Sequence, residues 1–216
     1  MKNYYVKIMS VFLGVFILMY GYPVRADLPL QGKVIVVDSG HGGLDPGALY
    51  NDIYEKDITL AIGKYLEEDL SKMGATVIMT RDSDSDLSNG VKNHRKKADF
   101  DERIKIINQK YVDMYVSVHL NYLTDSRYYG AQVFYNKDNE KLAESVQEYL
   151  NKNTNSDRNV KKIPTSTYMY DKLKTKGILV ECGFLSNSME RSKLVTKEYQ
   201  MEFARVLSDA ISHYYN

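Results

Sequence analysis

Residues 34–48 read VIVVDSGHGGLDPGA, and the fold follows from how that stretch ends. Val34 to Val37 form a continuous β-branched run, the pattern of a strand buried on both faces of a sheet. The run stops in a segment with glycines at 40, 42, 43 and 47, which let the backbone turn sharply or approach a ligand closely, and Pro46 stiffens its exit. His41 is thereby presented at the carboxyl end of a strand, where open α/β sheets keep their sites.

The first strand is expected over Lys33 to Val37, followed by a loop as far as Tyr54. From Glu55 to Met73, the residues Ile58, Ala61, Ile62, Tyr65, Leu66, Leu70 and Met73 recur at three- and four-residue spacing and predict a helix with one buried stripe, ended by Gly74. Ala75 to Thr80 predicts a second strand, closing a right-handed parallel βαβ unit. Arg81 to Phe100 is polar and aperiodic, a surface loop, and Asp99 with Glu102 resembles a capping box opening a helix through Ile104, Ile106 and Ile107.

Met114 to Leu120 predicts a third strand that ends at a second histidine, His119. Ala131 to Tyr135 reads as a candidate edge strand, Lys141 to Leu150 as a helix, Asn151 to Lys162 as a charged loop and Tyr168 to Leu173 as a short strand. Gly177 to Cys182 is a buried-type strand carrying one acid, Glu181; a short helix begins at Ser188, and Lys197 to Tyr215 forms a closing helix. This alternation predicts a single α/β domain over residues 27–216, with a mixed, mostly parallel twisted sheet covered by helices on both faces.

Residues 1–26 stand apart. Lys2 and Lys7 precede an uncharged apolar run from Ile8 to Val24, which predicts an export signal or a retained N-terminal membrane anchor and places the domain outside the cytoplasm. Without that segment the charge moves from +1 to −2, because Lys2, Lys7 and Arg25 leave and no acid does. So nearly neutral a domain has little electrostatic pull on nucleic acid. The single cysteine, Cys182, cannot form an internal disulfide and reads as a small buried hydrophobe. The remaining histidines, His94 and His213, read as surface residues, and the scattered tyrosines do not form a recognisable sugar platform.

Four titratable groups fall at strand mouths or at the start of the following helix: His41, Glu55, His119 and Glu181. Two imidazoles and a carboxylate suit a catalytic zinc ion with an open fourth position, and a spare acid suits proton transfer. Spacing alone leaves satisfied turn histidines as the competing reading, except that an acid inside ILVEC is costly to bury without a purpose.

The motifs DSGHGGLDPGA, YEKDITLAIGKYL, MTRDSD, SVHLNY and LVECGFLSN resemble, in the same order, those of the zinc-dependent N-acetylmuramoyl-L-alanine amidases. The resemblance implies one Zn²⁺ held by His41, Glu55 and His119, with Glu181 as the catalytic glutamate. It also implies that the substrate is the amide between the lactyl group of N-acetylmuramic acid and the L-alanine of the peptidoglycan stem peptide. Ser39 stands where proline is usual in this family and Leu120 where alanine is common, departures that touch subsite shape rather than ligands. The unadorned domain looks most like the germination-specific enzymes, which trim spore cortex on the way to muramic-δ-lactam. Arg81, Arg103 and Asn121 are candidates for binding the stem peptide, and an accessory protein is an open partner. A zinc exopeptidase or a non-catalytic peptidoglycan-binding module are the rival classes.

Overall fold

Strand β1 (Val34–Ser39) has parallel partners on both sides, β4 (Thr76–Met79) and β5 (Met114–Asn121). These coordinates are a computed structural model that describes residues 28–216, so the export-signal or anchor segment, residues 1–26, lies outside the described residues. Beyond β5 comes the parallel β8 (Gly177–Phe184), then β6 (Gln132–Tyr135) running antiparallel to β8, then the two-residue β7 (Lys161–Lys162). The order is β4-β1-β5-β8-β6-β7, the mixed and largely parallel sheet that the alternating pattern predicts.

One face of the sheet presents Ile35, Val37, Val116, Val118, Ile178, Val180 and Cys182 to the helices α1 (Glu55–Lys72), α3 (Glu140–Asn153) and α6 (Lys197–Tyr215). The other presents Val36, Tyr115 and Leu179 to α2 (Arg95–Ile107) and α4 (Tyr168–Lys172). Each fully buried Val, Ile or Leu contributes about 1.5–3 kcal/mol, so both layers are needed to hold the central strands. The expected stripe of α1 supplies Ile58, Ile62, Leu66 and Leu70, all buried, and Gly74 follows the helix at φ +96. Among the described residues no helix is long and apolar enough to cross a membrane.

The structure corrects the sequence reading in several places. The loop before Tyr54 contains a small hairpin, β2 (Leu49–Tyr50) with β3 (Ile53–Tyr54), turned by Asn51 at φ 51 and Asp52. Helix α2 begins at Arg95 rather than at an Asp99 cap, because the Arg95–Ala98 segment already favours helix. Asp99 lies inside the helix, accepting from Leu87 N at 2.8 Å. Tyr168–Lys172 is a helical turn instead of a strand: the adjacent residues Met169 and Tyr170 are both buried, which a half-buried strand does not allow. In the segment read as a loop, α3 runs on to Asn153 and β7 covers the edge of β6. Helix α5 (Ser188–Leu194) starts where expected, capped by the Asn187 side chain, which accepts from Met189 N and Glu190 N.

Candidate active site

The site forms where β1, β5 and β8 end and α1 begins. Helix α1 has no side-chain cap; its first N–H groups are taken by the preceding loop, Glu55 N donating to Ala48 O (2.9 Å) and Lys56 N to Pro46 O (3.1 Å). The Gly-rich segment after β1 is thus folded onto the helix start. His41 itself adopts φ 61, an unusual conformation for a non-glycine residue, with Gly42 and Gly43 also at positive φ. Such strain is found where a neighbouring structure holds a side chain in a working position.

Glu55 is buried at the centre. Its Oε2 accepts from Ala48 N at 2.7 Å and its Oε1 from Leu120 N at 2.9 Å. The second donor is available because Leu120 N faces the β1 side of β5, where the ladder ends with Gly40 N bonded to Val118 O. His41 Nε2 lies 3.2 Å from Glu55 Oε1 and His119 Nδ1 lies 3.1 Å from the same oxygen. The two imidazole rings are edge-on, with centroids 5.0 Å apart. One donor atom from each of His41, Glu55 and His119 falls within 4.8 Å of the others, and among the described residues this is the one group of its kind. Two imidazole nitrogens and a carboxylate oxygen converging this closely fit a divalent transition-metal ion.

Electrostatics agree with a cation at that point. Burial works to raise the Glu55 pKa, but hydrogen bonding and charge from His119 and His41 hold it well below the ordinary carboxylate range. Burial opposes charge on His41, yet the carboxylates of Asp45 and Glu55 raise its pKa to about 9, so the pocket favours positive charge. Asp45 Oδ2 lies 3.1 Å from His41 Nδ1 and completes the surroundings of that ring. The sequence reading missed Asp45, although its position four residues after a strand-mouth histidine was a usable signal.

Glu181 is the register partner of His119 on the neighbouring strand and faces the same side of the sheet. Its Oε2 is buried with no hydrogen-bond partner. Burial first, then the charge of Glu55, pushes its pKa up to about 8. A half-buried acid with one buried, unpartnered oxygen beside a metal-competent triad is equipped to move protons.

Glycines 40 and 47 make the close approach possible. A Cβ on Gly47 would meet Glu55 Oε2 at 2.5 Å and His41 Cδ2 at 2.7 Å. A Cβ on Gly40 would lie 2.6 Å from Nδ1 and 2.7 Å from Nε2 of His119. Gly40→Ala is therefore expected to turn the His119 ring away from Glu55 and weaken metal binding by at least about tenfold, read by competition with a chromophoric chelator.

Arg81 and Arg103 are held by protein partners. They are only 4% and 2% exposed, and their donors are committed. Arg81 donates to the carbonyls of Ser39 (3.0 Å), Gly40 (2.8 Å), Lys56 (2.8 Å) and Ser83 (3.1 Å); burial and the adjacent Arg103 lower its pKa to about 10. Arg103 donates to Asp38 Oδ1 (2.7 Å), Asp99 Oδ2 (3.0 Å), Ser39 O (2.8 Å) and His41 O (2.6 Å). Both guanidinium groups tie down the backbone that carries His41 instead of offering a free fork to a stem-peptide carboxylate. Asn121 ends β5, half-buried, with its carbonyl accepting from Leu185 N. Ser39 is buried against Gly63, and Leu120 packs into the core.

Known proteins share this chain's sequence pattern and fold. The N-acetylmuramoyl-L-alanine amidase family matches residues 35–213. A germination-specific N-acetylmuramoyl-L-alanine amidase of Bacillus subtilis (strain 168) is 40% identical over 195 residues, covering 87% of this chain and 82% of the relative. Among solved structures, the CwlD amidase from Clostridioides difficile, in complex with the GerS lipoprotein, superposes with a TM-score of 0.78 at 36% identity, covering 84% of this chain and 98% of that one. The catalytic domain of CwlV, an amidase from Bacillus (Paenibacillus) polymyxa var. colistinus, gives 0.73 at 27% identity, with 84% and 97% covered. With a matching sheet, a matching length and a metal-competent triad at the strand mouths, the chain belongs to the N-acetylmuramoyl-L-alanine amidase family and is a peptidoglycan amidase.

Proposed function

We propose that the chain holds one zinc ion through His41, Glu55 and His119 and uses Glu181 as the acid–base for cleaving the amide between N-acetylmuramic acid and L-alanine. The observation that carries this reading is the convergence of three donor atoms within 4.8 Å beside an acid on the next strand whose Oε2 is buried and unpartnered. When bound, zinc supplies Lewis acidity and activates water at neutral pH. Glu181 takes the proton from the attacking water and delivers it to the departing L-alanine nitrogen, so that an amine rather than an amide anion leaves. Leu120 N and Ala48 N hold the Glu55 carboxylate in place throughout.

The substrate proposed is spore cortex, in which release of the stem peptide leaves a muramic acid able to become muramic-δ-lactam; the 40% identical germination-specific relative supports this choice. Residues 1–26 would carry the domain out of the cytoplasm as an export signal or keep it there as an anchor, and residues 27–216 would be the catalytic domain. Because the Clostridioides difficile amidase was solved with a lipoprotein, an accessory partner belongs to the reading.

The test is incubation of the purified chain, without any added protein, with cortex and vegetative peptidoglycan, with and without Zn²⁺, followed by mass spectrometry. New L-alanine amino termini that depend on zinc are expected, with cortex preferred. Amino acids trimmed from the stem peptide's end would favour an exopeptidase and overturn the proposal; turnover only after a lipoprotein is added would establish the partner as required.

A further inference from the structure

Tyr170 sits on α4, a helical turn that contributes none of the proposed ligands, yet its hydroxyl reaches the far side of a ligand ring. Tyr170 Oη lies 3.4 Å from His119 Nε2 and 3.0 Å from Ser117 Oγ, and Ser117 Oγ lies 2.6 Å from Asp38 Oδ2. Asp38, Ser117 and Tyr170 are all buried. We propose that Asp38, acting through Ser117 and Tyr170, holds a proton on His119 Nε2, so that Nδ1, the nitrogen facing Glu55, is the one the ring gives to the metal.

The direction of each hydrogen bond follows from the carboxylate end. Asp38 also accepts from Arg103 Nη1 at 2.7 Å and from Thr80 Oγ1 at 2.8 Å. Although burial works against ionisation, Arg103 and the Ser117 hydroxyl hold the Asp38 pKa below its usual value, so Asp38 only accepts. Ser117 must then donate its one proton to Asp38, and toward Tyr170 it can only accept. Tyr170 spends its proton on Ser117 and can offer His119 only a lone pair. His119 Nε2 is left as a donor to Tyr170, while Nδ1, 3.1 Å from Glu55 Oε1, donates to that carboxylate in the metal-free protein and is the nitrogen a metal would take in exchange for the proton.

The arrangement differs from that of His41, which turns Nε2 toward Glu55 and has Asp45 directly beside Nδ1. The two ligand rings thus use opposite nitrogens. One has a carboxylate 3.1 Å away without hydrogen-bond geometry, and the other reaches a carboxylate through two hydroxyls. Partners of this kind fix the ring and raise ligand basicity, and losing one typically costs about 10–100-fold in metal affinity.

This inference rests on the metal site proposed above, and the experiment separates the two. Long-range ¹H–¹⁵N NMR of the full 216-residue chain at pH 8, metal-free and zinc-loaded, should show His119 protonated at Nε2 in both states. Tyr170→Phe and Ser117→Ala should each weaken zinc binding about tenfold by chelator competition. Both should reduce the Nε2–H population in the metal-free protein, and excess zinc should restore activity. Should either variant fail to fold, the parent's tautomer decides the matter by itself. A zinc-loaded parent that keeps a proton on Nδ1, a metal-free parent without one on Nε2, or variants that keep the parent's zinc affinity and Nε2–H population, would overturn the proposal. A parent that binds no zinc but shows Nε2–H would instead sink the metal site and leave the relay standing.

Discussion

Glu181→Gln is expected to keep the protein folded and metal-loaded while lowering amide hydrolysis by at least about 10²–10⁴-fold, the usual worth of a positioned acid–base. The substitution conserves volume. In the metal-free protein, burial and Glu55 push the Glu181 pKa to about 8, so at neutral pH a neutral amide replaces a mostly neutral acid, and little folding free energy changes. A divalent cation beside the carboxyl draws that pKa back down and turns the group into a usable base, which the amide cannot become. The measurement pairs zinc stoichiometry with release of L-alanine amino termini from peptidoglycan. Unchanged turnover would remove Glu181 from the chemistry, and loss of zinc along with turnover would make it a ligand instead.

The largest stability effect is expected at Arg103. Arg103→Met keeps most of the side-chain volume but leaves the fully buried Asp38 without its cation and frees the His41 carbonyl. Removing one partner of a buried ion pair costs about 3–5 kcal/mol. At about 2–4 °C per kcal/mol for a chain of this size, the melting temperature should fall by roughly 10 °C. The pH dependence gives the sign. In the parent, Asp38 has a lowered pKa, so its stabilisation is present above the ordinary carboxylate value near 3.8 and is lost as pH falls through the folded value. In the variant, burial acts on Asp38 without Arg103 and raises its pKa, so its penalty is greatest at neutral pH and is relieved on acidification. The gap between parent and variant should therefore narrow from pH 7.5 to pH 4.5 in thermal melts. A gap independent of pH would mean that Arg103 acts by packing alone.

Arg103 also shows how little residue type alone says about an arginine's partners. An arginine at a helix start near a strand mouth suggests carboxylate recognition, but the same guanidinium serves equally to satisfy buried acids and carbonyls. What decides between these is burial, and burial depends on α2 packing across β1. Asp38 was legible by the reasoning applied to Glu181, since it too is an acid within a β-branched run, and both occupy the same end of the sheet. The capping-box expectation at Asp99 failed for a related reason: its side chain is claimed by Arg103 and Leu87, partners distant from its own helix terminus.

By itself the sequence determined the layered α/β order, because strand and helix periodicities are local and survive in any window of ten residues. It also singled out the four groups proposed to carry the chemistry, since strand-mouth histidines and an acid in an apolar strand are visible in the order of residues. Only the tertiary structure decided that His41, Glu55 and His119 share one point, that the two rings turn opposite nitrogens to it, and that Tyr170 belongs to the site although its segment read as a strand. Those outcomes depend on the sheet order β4-β1-β5-β8 and on a helical turn packed over β5. Contacts between residues up to 79 positions apart, such as Ser117 with Asp38, leave no trace in either segment's own pattern.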